Sequence, residues 1–139
     1  MRRPDWEQRL HDLIEKNSDR PHEFGAWDCL LFPAAAVHAV TGKDHGKKHR
    51  GKYNSVASAY RHLSKMGFDN PEALLDSLFD EKPIGFAQRG DLVLVPGNID
   101  GTGIPGVCIG SHALVIGHDQ ESKGLFRVSR DQWLKAWSV

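Results

Sequence analysis

A chain of 139 residues is long enough to bury a core of its own as one domain, without disulfides or metals to hold it together. Lysine plus arginine equals aspartate plus glutamate, at 18 each, so net charge points to no polyanionic or polycationic partner. Two cysteines make no disulfide framework, no apolar run nears the roughly 20 residues of a membrane span, and the charged start Met1-Arg2-Arg3-Pro4-Asp5 has no apolar h-region of a signal peptide. The expectation is a chain made in the cytoplasm, with no secretory leader.

Neither repeats nor a low-complexity linker interrupt the chain. Trp6, Leu10, Leu13 and Ile14 recur at helical spacing, which predicts an amphipathic helix over residues 4–16. A second, buried helix is predicted from about Asp28 to Val40, rich in alanine and closed by Gly42 as a left-handed cap. Pro33 lies about one turn in and predicts a kink or an irregular first turn. Residues 43–53 form a basic loop. A third helix is expected from Ser55 to about Lys65 with Gly67 as its stop, and Asn70-Pro71 caps a short fourth one.

After Pro83 the pattern changes. Residues 92–95, 106–110, 113–116 and 125–128 are short β-rich runs bounded by Gly, Asn, Asp and Pro, and residues 133–139 suit a last strand. Helices first and strands second predict an α+β fold, a small antiparallel sheet covered on one face by helices.

The residue with the sharpest chemistry is Cys29, in Trp27-Asp28-Cys29-Leu30-Leu31. A thiol in the first turn of a helix meets unpaired N–H groups and the positive end of the helix dipole, which favour the reactive thiolate. Catalysis also needs a base within hydrogen-bond reach and a group to orient that base.

Three motifs carry a resemblance. Asp28-Cys29 with its apolar helix, the Gly90-Asp91-Leu92-Val93 strand, and the pair Val107-Cys108-Ile109-Gly110 and Leu114-Val115-Ile116 resemble, in that order, the NlpC/P60 branch of the papain-like cysteine peptidases. The whole chain is similar to small NlpC/P60-like proteins encoded among the tail genes of siphophages and gene-transfer agents, through the segments Thr41-Gly42-Lys43-Asp44 and Ala136-Trp137-Ser138-Val139. The resemblance implies one papain-like domain over residues 1–139 in the virion tail, beside hub and distal tail proteins and within reach of cell-wall peptide.

It also implies a catalytic histidine at the position of Gly106 and a polar orienting residue near Ile116. Both residues here are apolar and cannot move a proton. Two histidines stand close by in the sequence, His112 in the turn between those strands and His118 just past the second. A slip of register would bring either to Cys29. By strand alternation Cys108 faces the same way as Gly106. If that way is towards Cys29, Cys108 packs under the alanine-rich helix, or, as the remoter alternative, bridges to Cys29.

Elsewhere, Lys47, Lys48 and Arg50 of the basic loop are candidates for a phosphate or an acidic partner, with a solvated loop as the plainer reading and nucleic acid not expected. His45 and His49 lack a third ligand, so no metal and no cofactor is expected. Three functions stay open: a structural tail-tip component on a degenerate NlpC/P60 domain, a cysteine peptidase or amidase acting through Cys29 with His112 or His118, and a module that grips cell-wall peptide without cutting it.

Overall fold

In the computed structural model, residues 1–97, 102–117 and 124–139 are described. The architecture is α+β. Among the described residues four α-helices come first, α1 (Trp6–Asn17), α2 (Leu31–Thr41), α3 (Val56–Lys65) and α4 (Pro71–Leu78). Six strands follow: β1 (Asp80–Lys82), β2 (Leu92–Pro96), β3 (Gly103–Cys108), β4 (His112–Ile116), β5 (Leu125–Ser129) and β6 (Lys135–Ser138). They form one sheet in the order β1-β6-β2-β3-β4-β5, antiparallel at every pairing.

The helices start and stop for local reasons. The Ser55 hydroxyl accepts the Ser58 N–H, and the Ser58 hydroxyl accepts the Ser55 N–H, closing a reciprocal box at the start of α3. Asn70 accepts the Ala73 N–H, with Pro71 in the first turn of α4. Gly42 ends α2 at φ 85°, its N–H bonded to the His38 carbonyl. Because α2 begins at Leu31 rather than Asp28, Pro33 falls in its first turn, where its missing N–H would have no intrahelical partner. The expected irregularity is the turn at residues 28–30 that leads into the helix.

The two faces of the sheet bury different sets. Leu92, Leu94, Val107, Leu114, Ile116 and Trp137 pack against Phe32, Ala36, Val37 and Val40 of α2 and against Leu10 of α1. Each such aliphatic or aromatic side chain contributes about 1.5–3 kcal/mol by leaving water. The opposite face holds Val93, Val95, Cys108, Ala113, Val115 and Ala136 under Ala87 and Trp133. Arg130 staples that outer layer. Its guanidinium donates to the carbonyls of Ile84, Ala87 and Gly110 at 2.9, 2.8 and 3.0 Å and stacks 4.5 Å from the Trp133 ring.

Strand β1 escapes hydropathy patterning because it reads Asp-Glu-Lys. It is strand only because it pairs with β6, Glu81 against Trp137. The chain ends meet at Asp91, which is fully buried. Its carboxylate accepts from Arg2 at 2.9 Å, Lys82 at 2.6 Å and the backbone N–H groups of Gln88 and Val139 at 2.9 Å each. Gly90-Asp91 therefore acts as a structural knot that joins both termini to the start of β2. Among the described residues no helix is long and apolar enough to cross a membrane.

Candidate functional site

Asp28 builds the site. Its carboxylate is 1% exposed; one oxygen accepts the N–H groups of Leu30 and Leu31 at 3.0 Å each, and the other accepts that of Gly25 at 2.8 Å. Three backbone donors thus compensate a buried charge and fix the turn in which Cys29 sits. Gly25 is required there. Its φ is +81°, and a side chain would press to 2.7 Å from the Tyr53 carbonyl. The Gly25 carbonyl in turn accepts the Gly51 N–H at 2.8 Å, which draws the end of the basic loop against the site.

Cys29 is partly buried and free. It opens onto a cavity of about 60 Å³. Val56, Ala59, Tyr60 and Leu63 of α3 form one wall, and His22, Phe24, Tyr53, Thr102, Ile104 and Ile116 are among the residues that complete it. Burial pushes the thiol up to about 12, and the Asp28 charge adds to it. That outcome reverses the expectation from a helix start: burial and the Asp28 carboxylate outweigh the Cys29 N–H that favours the thiolate, and the Leu30 and Leu31 N–H groups are taken by Asp28. Among the described residues no hydrogen bond joins Sγ to an imidazole. Tyr53 is buried beside it, its hydroxyl facing the Asp28 carboxylate without completing a hydrogen bond. Burial and then the Asp28 charge push the Tyr53 phenol up.

Register decides where the other candidate residues go. Gly106 pairs with Val93, and both point to the outer face, so Gly106 looks away from Cys29. A side chain there would meet the Val115 methyl at 3.0 Å and the Leu114 carbonyl at 3.1 Å. Cys108 shares that orientation, buried with Val93, Val115 and Trp133. It lies across the sheet from α2 and Cys29, which corrects the expectation that it packs under the alanine-rich helix or bridges to Cys29. Of the two positions where partners are implied, Ile116 alone lines the cavity of Cys29.

His112 begins β4, with Nδ1 2.8 Å from the Ser111 hydroxyl. Four residues of strand, about 13 Å, separate it from Ile116. His118 lies outside the described residues. Lys47 and Lys48 are exposed, and Arg50 is held in a two-bond ion pair with Asp44. Among the described residues no cluster of three or more His, Cys, Asp or Glu side chains could hold a metal ion.

His22, which lines the cavity, and a half-buried imidazole pair escape sequence reasoning. His49, 4% exposed, places Nδ1 2.9 Å from Nε2 of His62 on α3, with the Tyr53 ring 5.7 Å from that of His62. The signal available was only the position of His62 one residue before the apolar Leu63, which does not reveal a partner 13 residues away.

Fold and site together define an α+β domain with a partly buried thiol in the turn before its central helix. A family model described as a domain of unknown function, DUF6950, matches residues 1–139, and the chain belongs to that family. No curated protein matches the chain.

Proposed function

We propose that this chain is a catalytically silent domain of the papain-like NlpC/P60 type that serves as a structural component of a phage-like tail tip, in the virion tail beside hub and distal tail proteins. The observation that carries the silence is the state of Cys29: a thiol raised to about 12 by burial and by Asp28, with no hydrogen bond to an imidazole among the described residues. A cysteine nucleophile works as the thiolate, so this one is almost wholly in its unreactive form at neutral pH. The order of elements supports the NlpC/P60 assignment: cysteine turn, buried helix, Gly-Asp turn, then antiparallel strands. The tail-tip role rests on the sequence resemblance, and an assembly role needs only surface.

A cysteine peptidase or amidase cutting peptidoglycan peptides is the second reading. One observation favours it, the cavity beside the thiol with His22 in its lining. Incubating the purified chain and its Cys29→Ala variant with peptidoglycan separates the two. The expected result is no muropeptide release from either. Release that depends on Cys29 would overturn the proposal.

A further inference from the structure

The two edges of the sheet differ. At one edge β1 is three residues long and carries Asp80 and Glu81, both exposed, with Glu81 3.4 Å from the Lys135 ammonium of its own chain and Lys82 held by Asp91 at 2.6 Å. At the other, β5 pairs with β4 alone and has no second neighbour among the described residues. Its exposed side chains include Phe126, at 38%, and Arg127, which makes no ion pair among the described residues.

The backbone of β5 shows which groups are open. The Leu125 N–H turns away from β4 and donates to the Ser18 carbonyl at 3.3 Å. By the two-residue period of a strand, Arg127 and Ser129 also direct their N–H and C=O groups outward. The open stretch Arg127–Ser129 has the length of β1. Long open edges invite further strands, and natural sheets blunt them with charge and shortness. Here β1 is blunted by acids and β5 by a single arginine.

Among the described residues the sheet has six strands, an even number, and is antiparallel throughout, so its edge strands run in opposite directions. A second copy laid beside the first, with its helices on the same side, brings its β1 antiparallel to β5. The faces also agree. Arg127 pairs with Leu114 and Glu81 with Trp137, and both partners lie on the helix side of the sheet. Two-fold pairings do worse: β5 against β5 sets Arg127 near Arg127, and β1 against β1 sets acid near acid.

We propose that a second copy of this chain adds its β1 to the open edge of β5, continuing the sheet head to tail with Glu81 of one copy beside Arg127 of the next. Such a contact is heterologous; it repeats until a ring closes or a filament grows. It deepens the assembly reading above, and the peptidoglycan test of that reading is independent of it.

Sedimentation velocity of the full chain over a range of concentrations tests the proposal. The mass is expected to rise past the dimer, and Arg127→Glu or Glu81→Arg alone is expected to weaken association about tenfold. The two changes in one chain restore it, because every interface then pairs Glu at 127 with Arg at 81. Arg127→Pro removes an outward N–H and is expected to abolish association with an unchanged circular dichroism spectrum. A chain that stays monomeric at the highest attainable concentration would overturn the proposal, as would a dimer that grows no further. So would association indifferent to all these changes.

Discussion

His49 and His62 meet ring to ring, Nδ1 2.9 Å from Nε2, and so tie the loop that follows α2 to the helix that walls the Cys29 cavity. A neutral pair shares one N–H between two nitrogens; a doubly protonated pair has two donors, no acceptor and two like charges. Burial lowers both pKa values. The His62 ring lowers that of His49 further while Asp28 opposes it, and Lys52 and Lys65 lower that of His62.

The sign of the resulting pH effect is fixed. An unfolded histidine takes its proton near 6.5, and these two in the folded chain take theirs at lower pH. In that window the unfolded chain holds more protons, so stability is full above 6.5 and falls as pH drops through and below it. Urea unfolding is expected to give a lower midpoint at about pH 5.5 than at about pH 7.5, and His62→Gln is expected to shrink the difference. An unchanged pH profile in that variant would assign the effect elsewhere.

Cys29 is expected to be a poor nucleophile in a direct measurement. A thiol pushed up to about 12 by burial and by the Asp28 charge holds far less thiolate at mild pH than a free cysteine does. Iodoacetamide labelling followed by mass spectrometry is expected to be slower than for glutathione by at least two orders of magnitude. Labelling as fast as a free thiol would show that the sulfur is activated.

Strand register predicts unequal results from restoring a histidine. Gly106→His aims its imidazole at Val115 on the outer face, so it is expected to lose stability and leave Cys29 labelling unchanged. Ile116→His puts an imidazole into the cavity that holds the thiol and is expected to speed labelling, at a cost of about 1–3 kcal/mol for a polar group in a buried site. Equal labelling of the two variants would contradict this register.

Asp91 is expected to be the most sensitive charged position in the chain. Asp91→Ala leaves Arg2 and Lys82, with side chains 14% and 18% exposed, without their shared partner, and removes the acceptor for the Gln88 and Val139 N–H groups. Breaking one side of a buried ion pair costs about 3–5 kcal/mol, measurable by urea unfolding. A loss below about 1 kcal/mol would place these charges in the class of surface pairs.

Much of the local structure was written in the residues themselves. Ser55, Asn70-Pro71 and Gly42 cap helices through their own side chains or their own φ, and the apolar runs at 92–95 and 113–116 are strands as their composition indicates. Asp28 likewise caps a turn through bonds to residues two and three positions away. β1 was illegible because its three charged residues are strand only by pairing with β6, nearly 60 residues on.

An α+β chain with helices first, an antiparallel sheet second and a cysteine at the start of a buried helix can be read from the residues alone. Tertiary structure alone decided what that cysteine is. Whether Asp28 turns its charge towards the sulfur, whether Gly106 faces the thiol or the far side of the sheet, and whether His49 finds His62 all depend on contacts between distant segments. Electrostatics and strand facing are set by distances in space, and a one-residue difference in register reverses every side chain of a strand.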